Sequence, residues 1–444
     1  GKMSLFIRFI VSILVILILT FPGLQDLNTA SAESAPMPSY ASRFGLSWTT
    51  SADGNTIDST LPGTEDFTIV QDPAGDRIEL NGFNNVGQVG QPLLPTVELR
   101  FLTPPDIDWN SVTVSLNSGD WVEIETPFNP TIALPAATTD YIQGYLENTA
   151  GADIEVEPIT IVSSGMYRQW HILTLGYNPF RYDAVQGRLY RLVNGAVTIQ
   201  FDRLSLDQQT GLHSMEVGPF PRQEEFWETI RPSLVNAASE REYYLNGAEA
   251  GVIDSITAVN DYVIITTENI RTNSTSLSNF IASKQRFGFI VKTVTEGSAE
   301  DGTHYLTGTT ADQRANNIRT WLANHYLSEG IEYVLLIGNP HPTTFTSNAS
   351  IPMKMTWPRS AEIEYRESPS DYYFADLTSN WNPDGDSMFG EYSEVGISGG
   401  IDRIAEVIIG RVPFYGTFTD LNSILNKFIS YGEATGDLSW RQTI

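Results

Sequence analysis

Asn380-Trp-Asn-Pro-Asp-Gly-Asp-Ser-Met-Phe-Gly-Glu391 has the residue types and spacing of a loop that wraps a hard cation. Counted from Asn380, side-chain oxygens fall at positions 1, 3 and 5 in Asn380, Asn382 and Asp384, with Gly385 at position 6 and Glu391 at position 12. Calcium takes roughly six to eight oxygen ligands, and a glycine at the bend lets alternate side chains point inward. Asn380 stands where such loops usually carry Asp, but an amide carbonyl is also a hard oxygen. With Asp386 added, the expected calcium ligands are Asn380, Asn382, Asp384, Asp386 and Glu391. The other reading is a solvated acidic turn, because no EF-type helices flank the loop. A metal-dependent hydrolase is the weaker choice, since the loop has no His and its carboxylate–amide oxygens suit calcium better than zinc.

Two other features bear on catalysis. His341 lies in Gly338-Asn-Pro-His-Pro342, just after an apolar strand. Bracketed by prolines, with no Cys, Ser or carboxylate pattern beside it, it reads as a turn residue. The chain contains no cysteine. That excludes a thiol nucleophile within these residues, and it excludes a disulfide framework.

The elements that must position the loop change class along the chain. From about Tyr40 to Gln200, short alternating runs such as Trp109–Leu116 and Val197–Phe201 are broken by Pro, Gly, Asn and Asp, the pattern of a β-sandwich or barrel. Residues 206–255 lose the alternation and read as a polar linker with a short helix or two. After Asp261, continuous apolar strands at Tyr262–Thr266, Phe289–Val294 and Tyr333–Gly338 alternate with helical spacing. Leu277, Phe280, Ile281, Lys284 and Phe287 mark one helix before Gly288. Thr310-Ala-Asp-Gln313 is a capping box that opens a second, with Ile318, Trp321, Leu322 and Tyr326 on one face and Gly330 at its end. Ile404–Val412 is a fourth strand, followed by a helix through Leu421, Leu425 and Phe428, and another strand is expected next. Buried strands alternating with helices predict a parallel sheet covered on both faces, with ligands beyond the carboxyl ends of its strands.

Composition narrows the partners. The chain has 444 residues, 53 acidic against 26 basic, for a net charge of −27. Such a surface disfavours nucleic acid and anionic membranes. Met3 to Ala32 reads as a signal peptide, with Arg8, an apolar run from Phe9 to Leu19, and Ala30-Ser-Ala32 as the cleavage site. A secreted or cell-surface protein without a retained membrane anchor is therefore expected.

The segments Tyr333–Gly338, Ile351-Pro352, Pro369–Asp376, Asp384-Gly-Asp386 with Gly390-Glu391, and Ile409–Pro413 occur in an order that resembles the gingipain-type cysteine peptidases. Gly90–Pro95 and Tyr177-Asn-Pro179 resemble that family's propeptide. The resemblance implies a multidomain protein: residues 1–32 a signal peptide, 33–205 a β-rich, sandwich-like propeptide, 206–255 a linker, and 256–444 the amino-terminal part of a caspase-like, flavodoxin-like α/β peptidase domain. It implies a protein or peptide substrate, and the chain's own propeptide as a partner. In the family the catalytic His precedes Gly and the nucleophilic Cys follows a later strand; none of His171, His213, His304, His325 or His341 precedes Gly. No catalytic residue is therefore assigned, and the Cys/His dyad is expected beyond residue 444, so this chain alone should be inactive. Release of the propeptide would follow cleavage in the linker, at Arg222, Arg231 or Arg241 among other sites. The alternative is a calcium-stabilised surface or binding protein that keeps the fold without catalysis.

Overall fold

In Trp170–Tyr177 apolar residues occupy both alternating sets of positions, and a strand of that kind needs cover on both of its faces. The computed structural model describes residues 40–73, 75–87, 90–133, 157–204, 220–244, 259–297, 306–358, 367–383, 385–391, 401 and 404–434. The segment expected to be a signal peptide lies outside them. Among the described residues, no helix is long and apolar enough to cross a membrane.

The β-rich half is built from β1 (Trp48–Thr50), β2 (Thr56–Thr60), β3 (Asn84–Val86), β4 (Leu94–Thr103), β5 (Thr113–Ile124), β6 (Ile159–Tyr167), β7 (Trp170–Tyr177), β8 (Phe180–Asp183) and β9 (Arg188–Gln200). One antiparallel sheet runs β1-β2-β9-β8, with β5 along the other edge of β9. The second runs β3-β4-β7-β6, also antiparallel. Their facing sides share a core: Ile57, Val197 and Ile199 from the first sheet meet Leu99, Phe101, Leu173 and Leu175 from the second. Of the sandwich or barrel that the alternation predicts, the two sheets form a sandwich.

The far face of the second sheet is covered by the stretch read above as linker. Its described part, 220–244, includes helix α1 (Gln223–Ile230) and the short helix Glu240–Tyr243. Phe226, Trp227, Leu234 and Tyr244 pack against Leu102, Trp170 and Ile172. Hydrogen bonds fasten the cover to the strand backbone. The Asn236 side chain donates to the Leu102 carbonyl (2.8 Å) and accepts from its N–H (2.7 Å). The Tyr244 hydroxyl donates to the Thr103 carbonyl (2.7 Å) and accepts from His171 N–H (2.8 Å). The charges of Glu224, Glu225 and Glu228 hid this apolar face from a reading by composition. Of the Arg residues considered for cleavage, Arg222 stands in a left-handed turn just before α1, while Arg231 belongs to a 3-10 turn and precedes Pro232, and Arg241 lies in the helix Glu240–Tyr243. Helical backbone must unfold locally before a protease can take it as an extended strand.

The α/β half carries β10 (Tyr262–Ile265), α2 (Leu277–Arg286), β11 (Val291–Val294), α3 (Ala311–His325), β12 (Tyr333–Gly338), β13 (Ile408–Pro413) and α4 (Phe418–Glu433). Its sheet is four-stranded, ordered β11-β10-β12-β13, and every pairing is parallel. Val263, Ile265, Val334 and Leu336 face α3, while Ile264, Leu335 and Ile337 face α2 and α4. Thr310 caps α3 by accepting from Gln313 N–H (3.2 Å), and the Gln313 side chain reaches back to Thr309 N–H (3.0 Å). The reciprocal bond thus lands one residue earlier than in the standard capping box.

His171, on β7, points to the face opposite the cover, the side of Leu173, Leu175 and Trp109. Its ring is enclosed although the residue keeps partial exposure, it stacks on Trp109 at 5.9 Å, and its Nδ1 has no hydrogen-bond partner among the described residues. Burial pushes its pKa down to about 4. The unfolded chain therefore binds the proton first as pH falls below about 6.5. Stability should be full above that pH and decline by up to roughly 3 kcal/mol toward pH 4. Urea denaturation across this range should show the decline in the parent chain and a flatter profile in His171→Phe.

Candidate functional site

Strand order reverses between β10 and β12, so the carboxyl ends of these strands flank the position where open α/β sheets bind ligands. The 346–350 segment lies across that edge. The hydroxyl of Thr267 donates to the Asn348 carbonyl (2.9 Å), and Arg314 donates to the carbonyls of Ser347 (2.7 Å) and Ser350 (2.9 Å). Gly338 permits the close approach, because a Cβ there would lie 2.4 Å from Ile351 Cγ1. His341 is exposed, and its Nδ1 accepts from Thr344 N–H (3.0 Å) and Thr343 N–H (3.3 Å). It holds a turn, as the flanking prolines predict.

The oxygen-rich loop is closed at its base, where Gly390 N–H donates to the Trp381 carbonyl (2.7 Å). Gly390 has φ +69°, and a Cβ there would sit 2.9 Å from Ile401 and 3.2 Å from the Trp381 ring. Only glycine fits without displacing the neighbours. Phe389 lies over Lys354, whose ammonium is 3.3 Å from the ring centroid. That ammonium also donates to Asp312 (2.6 Å) and Asn316 (2.8 Å). Burial pulls the Lys354 pKa down while Asp312 opposes the shift.

Within the loop, Asn380 Oδ1 accepts from Asn382 N–H (3.1 Å) and Asn382 Oδ1 accepts from Gly385 N–H (3.1 Å). The Asn382 amide donates to the Asp386 carbonyl (2.7 Å), and Asp386 Oδ1 accepts from Met388 N–H (2.5 Å). Glu391 is half-buried, with an enclosed Oε2 that has no hydrogen-bond partner among the described residues. Asp384 lies outside the described residues. Among those described, no three His, Asp or Glu side chains converge as a metal would require.

Two buried acids set the loop's entry. Asp376 accepts from Ser379 N–H (3.1 Å) and from the Trp381 indole (3.0 Å), while Glu406 accepts from Leu377 N–H (2.6 Å) and the Thr378 hydroxyl (3.0 Å). Burial pushes the Asp376 carboxyl up, against the pull of these bonds and of Arg319. Arg411 on β13 is bidentate to Asp371 (2.7 Å for each bond) and donates to the Ile351 carbonyl (2.6 Å). One side chain thus gathers three of the segments on which the resemblance rests. Asp371, Asp376 and Arg411 fall within those segments, whereas Glu406 and Arg319 carry no signal in the sequence beyond charge.

Residues 256–444 match the family model described as Peptidase family C25. The match covers the α/β half alone, which is thereby similar to the gingipain-type peptidases. Cysteine-peptidase character is a property of that family. Two solved structures from Porphyromonas gingivalis are similar at 16% identity. One is of gingipain K and concerns its zymogenic latency; the match covers 36% of this chain and 93% of that one, with a TM-score of 0.28. The other is the complex of RgpB pro- and mature domains, covering 44% of this chain and 97% of that one, with a TM-score of 0.31. Among curated proteins none matches the sequence.

Trp381 anchors the oxygen-rich loop through a buried bond to Asp376. In Trp381→Phe the ring remains but Asp376 Oδ2 loses its donor, which costs about 1–3 kcal/mol. Denaturant unfolding should show that loss, and limited proteolysis should cut faster within 380–391.

Proposed function

We propose that this chain is the propeptide and amino-terminal peptidase portion of a secreted gingipain-type cysteine endopeptidase precursor. The family match over 256–444 carries this reading. Peptide hydrolysis in such an enzyme uses a Cys thiolate activated by His, with N–H groups stabilising the oxyanion. These 444 residues contain no Cys, so the thiolate must be supplied from outside them. The β-rich half is then the propeptide and partner of the peptidase domain, and proteins or peptides are the substrate class. Reading the gene past the codon for Ile444 is the direct test. His-Gly followed, after a further strand, by Cys is the expected result; a stop codon or substituted residues would favour the non-catalytic binding protein.

That second reading draws on the missing thiol and on the oxygen-rich loop. In both readings calcium is a structural ion held by Asn380, Asn382, Asp384, Asp386 and Glu391. The enclosed Oε2 of Glu391, without a hydrogen-bond partner among the described residues, supports a cation there, as do the remaining lone pairs of the two amide oxygens. The Phe389–Lys354 contact and the Trp381–Gly390 closure hold the loop's base in place. Calcium at a hundredfold its Kd should raise the unfolding free energy by about 2.7 kcal/mol. Thermal melts of the full chain should show the rise, and Glu391→Gln or Asp384→Ala should abolish it. A melting temperature indifferent to calcium would make the loop a solvated turn.

A further inference from the structure

Arg168 occupies the two-residue turn between β6 and β7 with φ +57°, a left-handed conformation that usually falls to glycine. A bulky residue persists there when its surroundings hold it in place, and such outliers point to function. Its side chain leaves the β-rich half and is only 1% exposed. Nη2 donates to the Tyr326 carbonyl (2.7 Å), and Nη1 donates to the carbonyls of Ile331 (2.9 Å) and Glu406 (3.1 Å). The Tyr326 hydroxyl donates back to the Arg168 carbonyl (3.2 Å).

All three acceptors belong to the α/β half. Tyr326 and Ile331 lie between α3 and β12, and Glu406 stands two residues before β13. Both places are the amino-terminal edge of the parallel sheet, opposite the edge that carries Gly338 and His341. The three carbonyls converge only when β12 and β13 are already paired, so the guanidinium is matched to a finished sheet. A planar fork of donors suits three acceptors on different segments, which a lysine ammonium on its flexible stem matches poorly.

A second arginine reinforces the contact. Phe226 on α1 lies 3.7 Å from Arg168 Cζ and 5.0 Å from Arg222 Cζ. Arg222 in turn pairs with Glu332 (2.5 Å) at the start of β12. Ile404 of the α/β half packs into the same apolar cluster as Phe226 and Trp170.

We propose that Arg168, backed by Arg222, is the anchor by which the β-rich half recognises the folded α/β half, and that it holds the two together once the chain between them is cut. Neither peptidase activity nor calcium is needed for this. The β-rich half is thereby seated on the amino-terminal edge of the sheet as an assembly partner.

The test is made on the full chain, with a recognition sequence for a site-specific protease inserted within 245–258. After cleavage, the two fragments should co-elute on gel filtration at micromolar concentration. Arg168→Met should raise their dissociation constant at least about a hundredfold, because three carbonyls lose a charged donor. Arg168→Lys should recover little of it. Should Arg168→Met fail to fold, the Glu332 pair provides an independent arm. Arg222→Glu and Glu332→Arg should each weaken association about tenfold, and the double swap should restore most of it. Separation of the unmutated fragments would overturn the proposal. So would an Arg168→Met complex as tight as the parent, or a charge swap without rescue.

Discussion

A guanidinium buried against backbone carbonyls organises the contact between the two halves. Arg168 donates to Tyr326, Ile331 and Glu406, and none of these bonds is to a carboxylate. Burial lowers its pKa to about 10, so it stays charged at neutral pH, neutralised mainly by carbonyl dipoles. A buried charge of this kind is tolerated only when its donors are satisfied together. That requirement couples the turn after β6, the α3–β12 connection and the entry to β13, three places far apart in sequence.

The same economy appears in the layering. The second sheet of the β-rich half is apolar on both faces, so it needs the first sheet on one side and α1 with its following turns on the other. Phe226 and Trp227 complete that cover, and Phe226 also packs against Arg168. The cover of the β-rich half and the seat of the α/β half are therefore one piece of structure. Cutting or moving 220–244 would disturb both.

Glu406 links this seat to the oxygen-rich loop. Its backbone carbonyl receives Arg168, while its carboxylate receives Leu377 N–H and the Thr378 hydroxyl, next to Asp376 and its bond to Trp381. The loop thus begins from a rigid, buried polar network, and its tip carries the exposed Asp386. Buried acids in such a network define position because every donor nearby has one place to go.

From the residues alone a β-sandwich or barrel and a parallel sheet could be read, because period-two alternation and continuous apolar strands admit few layer arrangements. β12 was legible to the residue at Tyr333–Gly338, and α3 to its Thr310 cap. The spacing of the loop oxygens was equally plain. The cover over 220–244 was not, since its apolar residues are scattered among glutamates and gain meaning only against Trp170 and Ile172. Nor could sequence distinguish Arg168 from the other arginines. Which charge is buried depends on where three distant carbonyls converge, and only the tertiary structure brings them together.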